Sequence, residues 1–281
     1  MNELADLLAK LPDPVAATPR VRAALGAFLV PTRPVSRPEE EQLLASARRR
    51  DFELGDTRIA AWVWGHGPRV LLVHGWSSRG SHLSAFVAPL LARGFSVATY
   101  DAPAHGDTAG ALSSVVHHGR AVAEATRAVG PIEAIVAHSV GSAATLWAFR
   151  EGLRIRASVH IAGPATLANV VRGYAQAFGF SPLETAVFQL AVETCTGEPV
   201  ARGSVDVLAA GLSHAGLIVH DSGDREVPAS ESEALHHYWP GSTLWLTTGL
   251  GHRRPITDRT VVSRTVDFVS EHVPLLGGRR P

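Results

Sequence analysis

Ile132-Glu133-Ala134-Ile135-Val136-Ala137-His138-Ser139-Val140-Gly141-Ser142-Ala143-Ala144 is the stretch whose reading decides the fold. Its first five residues form an apolar run of the sort that fills a buried strand, and its last three open a helix of small residues. Ser139 falls between them, at the apex of a sharp strand–turn–helix. A tight turn there lifts the hydroxyl off the sheet, and the helix start behind it supplies oriented backbone N–H groups. Strand and helix must approach closely, so small residues are needed on either side; Gly141 meets the need and Ala137 adds only a methyl group. A serine presented in this way is a nucleophile only if the chain also brings a base, an acid and oxyanion donors.

Working outward, the same rhythm recurs. Arg69 to His74 is a short apolar run suited to the middle of a parallel sheet covered on both faces, and a loop over Gly75–Gly80 leads to a helix from about Ser81 to Arg93. Phe95 to Tyr100 is the next strand, with Ser113 to Val129 as its helix; Ile132 to Ala137 leads into a helix from Val140 to Arg150; Ala157 to Ala162 is the strand after that. Strands alternating with helices in this way predict right-handed crossovers and a mostly parallel α/β sheet with helices on both faces. From Ala165 to Leu212 the pattern turns helical, predicting an insertion that caps the C-terminal edge of the sheet. Sheet rhythm returns with Leu217 to His220, a helix near Ser230 to His237, a strand from Thr243 to Thr247 and a last helix from Thr260 to Glu271.

Before the sheet, Asp51–Leu54 and Arg58–Trp64 flank Gly55-Asp56 and read as a hairpin of antiparallel edge strands. Residues 1–50 divide into Leu4–Leu11, Val21–Leu29 and Pro38–Arg49, separated by prolines, and are expected to form a helical N-terminal extension laid on the domain and kept out of the sheet. The domain proper then runs from 51 to 281.

The 281 residues suit one large α/β layer structure. Basic and acidic side chains balance at 26 each, so no whole-molecule field favours a nucleic acid. Cys195 is the sole cysteine, which rules out an intrachain disulfide, fits a reducing compartment, and leaves a small buried hydrophobe as its reading. Glu3 and Asp6 stand where a secretory signal needs basic residues, and no run approaches the ~20 apolar residues that span a bilayer. A cytoplasmic protein with no membrane partner is expected.

In open α/β sheets, reactive groups sit on loops beyond the carboxyl ends of the strands, and this prunes the 14 histidines. His252 follows the last strand across the glycine-rich turn Gly249-Leu250-Gly251 and is the best base. For the acid, Asp221 and Asp224 both follow the penultimate strand. Asp224 is favoured because the partner of the base must lie in the loop and not at the rim, while Asp221 stays open as the alternative. The oxyanion donors are expected from the N–H of Val140, just after the nucleophile, and the N–H of Trp76, in the loop after the first parallel strand. His74 reads as a residue that ties this loop down. His117-His118 and His236-His237 lack metal-ligand spacing and read as exposed helix residues.

Taken together, His74-Gly75-Trp76, Asp101-Ala102-Pro103-Ala104-His105-Gly106, the turn from Ala137 to Gly141, Asp224-Arg225-Glu226-Val227-Pro228 and Gly251-His252 resemble the α/β-hydrolase superfamily over roughly Phe52 to Val273. Two departures stand out: Ala137 replaces the usual glycine, as in some bacterial lipases, and Ala104 replaces a glycine of the Asp-x-Pro-Gly-His-Gly loop. The resemblance implies a serine hydrolase of the carboxylesterase type, acting through an acyl-serine on small or medium acyl esters, with Ser139, Asp224 and His252 catalytic and with no metal or organic cofactor. Its partner would be a small-molecule ester and no nucleic acid; a homodimer is compatible with the sequence. Trp76, Phe178, Phe180, Leu183 and Phe188 are the expected substrate-binding residues. The same triad also serves acyltransferases and perhydrolases, and a ligand-binding receptor of this fold would keep only vestigial turnover.

Overall fold

A computed structural model describes residues 18–163 and 166–275. The expected helix over Leu4–Leu11 and the start of the insertion at Ala165 lie outside them. Eight strands build the central sheet: β1 (Arg48–Arg49), β4 (Ala61–Trp64), β5 (Arg69–Val73), β6 (Ser96–Tyr100), β7 (Ile132–His138), β8 (Ala157–Ile161), β9 (Ala215–Asp221) and β10 (Ser242–Thr247). Their order across it is β1-β4-β6-β5-β7-β8-β9-β10. From β6 to β10 every neighbouring pair is parallel; β4 runs antiparallel to β6, and β1 to β4.

Continuous apolar runs appear in the inner strands because both faces are covered. Leu71 and Val73 of β5 point into one core with helices α4 (Val115–Ala128) and α5 (Val140–Arg150), whereas Val70 and Leu72 point into the other with α3 (Val87–Ala92) and α10 (Arg259–His272). The expected hairpin forms as β2 (Phe52–Leu54) and β3 (Thr57–Ile59), with Leu54 opposite Thr57 across Gly55-Asp56. Its second arm breaks at Ala60, and the rest of that run, β4, crosses to the main sheet.

The N-terminal extension does not keep clear of the sheet. Helices α1 (Pro19–Leu29) and α2 (Pro38–Ala45) are followed by β1, whose Arg48 and Arg49 pair with Val63 and Trp62. The Arg49 guanidinium lies 4.3 Å from the Trp62 ring centroid, so the strand is held by stacking as well as by its ladder.

Between β8 and β9 the chain forms α6 (Leu167–Ala177), α7 (Pro182–Thr196), a short 3₁₀ turn and α8 (Val205–Ala209). α7 starts at a capping box, Ser181 with Glu184, and ends at Gly197 in the left-handed conformation (φ 71°). α6 and α7 share an apolar cluster with α1, but Leu208 and Ala209 of α8 pack into the sheet's own core. Helix α9 (Ser230–Tyr238) then links β9 to β10. Among the described residues no helix is long and apolar enough to cross a membrane.

Candidate active site

Ser139 directly follows β7 at φ 54°, ψ −128°, a conformation that an L-residue adopts only under tertiary constraint. The constraint is visible on all sides. The Ser139 N–H donates to the Ile161 carbonyl at 2.9 Å, and the Ser142 N–H donates to the Ser139 carbonyl at 2.8 Å. A methyl group on Gly141 would collide with the His74 carbonyl oxygen, so glycine is required where helix α5 passes the loop after β5. Ala137 fills a fully buried strand position opposite Val73 and His160. Its methyl group joins the core on that side, and the turn begins two residues later.

His252 Nε2 lies 2.9 Å from Ser139 Oγ, and His252 Nδ1 lies 2.8 Å from Asp224 Oδ2. A carboxylate only accepts, so Nδ1 carries the proton and Nε2 faces the serine hydroxyl as an acceptor. Asp224 has a fully buried side chain. Its other oxygen accepts the N–H groups of Glu226 and Val227, at 2.8 and 3.0 Å, and these fix the carboxylate plane. The three side chains thus form one hydrogen-bonded line whose geometry fits a Ser-His-Asp triad.

Asp221 stands apart from that line. At the rim of β9 it accepts from the N–H of Leu250 (2.8 Å), the N–H of Gly223 (3.0 Å) and the Thr247 hydroxyl (3.0 Å). Burial pushes its carboxyl up, but the N–H groups of Leu250, Gly251 and Gly223 outweigh this and hold it below the ordinary aspartate value. Its position makes it the anchor of the turn that carries His252.

Two further histidines support the line, and nothing in the sequence pattern pointed to them. His138 donates from Nε2 to the His252 carbonyl at 3.0 Å, and its ring lies 5.1 Å from the His252 ring. Burial pushes His138 down to about 4, which keeps it neutral with a single donor. Behind the acid, the buried His220 places Nε2 3.0 Å from the Val227 carbonyl and 3.3 Å from Asp224 Oδ2, while Nδ1 meets Ser232 Oγ of α9 at 2.6 Å. Both contacts join residues distant in the chain or in a turn, which is why periodicity carries no trace of them.

The loop after β5 passes directly over Ser139: a methyl group on Gly75 would lie 2.9 Å from Ser139 Cβ. Among the described residues no acceptor takes the N–H of Trp76 or of Val140. His74 does tie the loop down, donating from Nδ1 to the Gly75 carbonyl (2.7 Å) and accepting the Ala102 N–H at Nε2 (2.9 Å). His105 accepts the Ser77 N–H at 3.1 Å. Asp101 receives the N–H groups of Gly80 and Asp107 at 2.7 and 2.8 Å, and burial raises its carboxyl to about 6. Gly106, at φ 45°, is compulsory because a methyl group would collide with the Asp101 carboxylate. Ala104 holds φ 62° without glycine's freedom. His118 is not an exposed helix residue. It is 1% exposed, on the inner face of α4, with its ring 5.0 Å from that of His74; His236 and His237 do face solvent.

A cavity of about 660 Å³ opens beside Ser139 and His252. Trp76 and Phe178 line it as expected, but Phe180, Leu183 and Phe188 do not. Leu183 is 75% exposed on the outer side of α7, and Phe188 is fully buried in the cluster behind the wall. Phe180 stacks between Phe178 and Phe188, at 5.7 Å from each. Helical spacing alone does not say which face of α7 turns inward. The wall is built instead by α6, through Val170 and Tyr174, and by Phe28, Val227 and Pro228. Its polar part includes Asn169, which donates to Glu231, Arg172, which is bonded to Asn169, and Gln176, Arg225 and Glu226. Arg253 pairs with Glu226 at 3.1 Å in solvent, and Arg254 donates to the Leu250 and Gly249 carbonyls. Among the described residues no group of three or more His, Cys, Asp or Glu is placed to hold a metal ion.

No protein-family model matches the chain, and no curated protein does. Solved structures match it clearly. An esterase of Pyrococcus furiosus superposes with a TM-score of 0.65 at 19% identity, covering 87% of this chain and 98% of its own. The 2-hydroxy-6-oxo-6-phenylhexa-2,4-dienoate hydrolase of Rhodococcus sp. strain RHA1 gives 0.60 at 18%, covering 80% and 98%. Mouse α/β hydrolase domain-containing protein 10 gives 0.62 at 16%, again covering 80% and 98%. The chain has the α/β-hydrolase fold.

Proposed function

We propose that this chain is a serine hydrolase that cleaves carboxylic esters of small or medium acyl chains through an acyl-serine intermediate. The observation that carries the reading is the line Asp224–His252–Ser139, at 2.8 and 2.9 Å, opening into a cavity with apolar and polar walls. The esterase and hydrolase neighbours support it at the level of the fold.

In this reading His252 takes the Ser139 proton at Nε2 as Oγ attacks the ester carbonyl. Asp224 stabilises the imidazolium through Nδ1–H and does not itself take the proton. The tetrahedral oxyanion forms against the N–H groups of Trp76 and Val140, each worth on the order of 3 kcal/mol in the transition state. His252 then returns the proton to the leaving alcohol, and a water molecule repeats the sequence on the acyl-serine. Oxyanion donors set by loop and helix need no rearrangement during the reaction, which is why the loop matters as much as the side chains.

The test is pre-steady-state release of p-nitrophenol from short-chain p-nitrophenyl esters. Release well above background, with a burst stoichiometric with enzyme where deacylation is slow, and its loss in Ser139→Ala are expected; no release above the Ser139→Ala background at pH 8 would overturn the reading.

A further inference from the structure

Helix α1 comes from the N-terminal extension, outside the alternating strand–helix pattern, yet it reaches the site. Its buried residues Val21, Ala24, Leu25, Phe28 and Leu29 repeat at helical spacing. They share an apolar cluster with α6, α7, Val115 of α4 and Ala143 of α5, and with no strand residue. Phe28 is the one aromatic ring on that helix. It is 5% exposed, borders the same cavity as Ser139, and stands edge-on to Tyr174 at 5.1 Å and to Phe188 at 5.8 Å.

The segment carrying this ring is tied at both ends to parts that shape the site. At its start, Arg20 donates to the Phe178 carbonyl at 2.7 Å and pairs with Glu184 at 2.9 Å, fixing α1 to the turn between α6 and α7. At its end, the Leu29 carbonyl accepts the Ser113 N–H (2.8 Å), and the Thr32 N–H donates to Ser77 Oγ (3.0 Å), one residue beyond Trp76. Arg33 then donates to the Gly106 and Gly110 carbonyls. Residues 20–33 therefore form a strap from the helices over the cavity to the loop that bears the Trp76 N–H. A ring on a strap fixed at both ends gives way far less readily than one on a free loop.

We infer that Phe28 is a specificity-determining residue: the N-terminal strap supplies the end wall of the cavity and limits the length of the apolar chain the ester carries. The inference rests on the esterase reading above. Apolar pockets discriminate one methylene from the next by roughly 10- to 200-fold in kcat/KM, so a wall moved by a phenyl ring has a measurable effect.

The experiment compares wild type, Phe28→Ala, Phe28→Leu and Phe28→Trp on two ester series, one varying the acyl chain from two to twelve carbons and the other varying the alcohol over a fixed acyl group. Phe28→Ala is expected to raise the ratio of kcat/KM for long over short chains at least tenfold in one series, and Phe28→Trp to lower it. The series that responds identifies which part of the ester meets the wall. A length profile unchanged within twofold in all variants, in both series, would overturn the inference. Labelling of Ser139 by a small fluorophosphonate separates the two levels: a wild type that neither labels nor turns over removes the esterase reading itself, whereas labelling with an unmoved length profile removes only the wall. If Phe28→Ala fails to fold, the Leu and Trp variants, which keep an apolar side chain in the cluster, decide the matter.

Discussion

Asp221 and Asp224 are three residues apart, and both are buried carboxylates, yet their surroundings give them different work. Asp224 offers one oxygen to His252 and the other to the N–H groups of Glu226 and Val227. Asp221 gives its oxygens to Thr247, Gly223 and Leu250. Replacing Asp224 with Asn is expected to slow turnover by about 10⁴-fold with little loss of fold, because the amide presents the wrong partner to Nδ1. Asp221→Asn should do the reverse, lowering the melting temperature with a much smaller loss of turnover, since it loosens the turn that bears His252. Steady-state kinetics and calorimetry on the two variants decide this, and equal small effects on turnover would refute the assignment. The preference for Asp224 was legible from loop position in the sequence. The supporting His138 and His220 were not, because each acts through a contact that only the folded chain creates.

At the scale of elements, the loop after β5 is the most exacting piece. It runs between the His105 and His74 rings on one side and the Ser139 turn on the other, and Gly75 leaves no room for a side chain against Ser139 Cβ, 2.9 Å from where a methyl group would stand. Gly75→Ala therefore moves the Trp76 N–H or the nucleophile. Turnover is expected to slow by roughly 10²- to 10³-fold, the loss typical of one oxyanion donor, with KM less affected. A turnover rate equal to that of the wild type would contradict this close fit. The elements themselves were largely readable: the inner strands announce themselves as apolar runs because both faces are covered, and the glycine-rich turns mark their ends. Boundaries failed where tertiary pairing overrode local pattern, as at Ala60, where one run divides between two sheets, and at Arg48-Arg49, which join the sheet although nothing around them alternates.

For the molecule as a whole, the most testable property is its response to acid. His105, His138 and His214 are pushed by burial to about 4, and His118 and His160 to about 3, from an ordinary 6.5. Below pH 6.5 the unfolded chain takes up protons that these folded histidines refuse. Stability therefore falls as pH drops through the window from 6.5 to between 3 and 4. Asp101, raised to about 6, works the other way between 6 and 3.8 and offsets one histidine. Five against one leaves a net loss, so the urea midpoint should fall markedly from pH 7.5 to pH 5.0; coincident unfolding curves would contradict it. The sequence by itself determined the α/β sheet, the sharp turn at Ser139 and the placing of Ser139 and His252 beyond strand ends, with the acid left between Asp224 and Asp221, because strand burial, tight turns and loop position are properties of local pattern. The tertiary structure alone decided the cavity wall. Phe28 and Tyr174 meet although they stand far apart in the chain, and Leu183 and Phe188 lie on opposite faces of one helix whose orientation is set by what packs against it. Helical periodicity gives a face but not the direction it points; contact between distant elements supplies that.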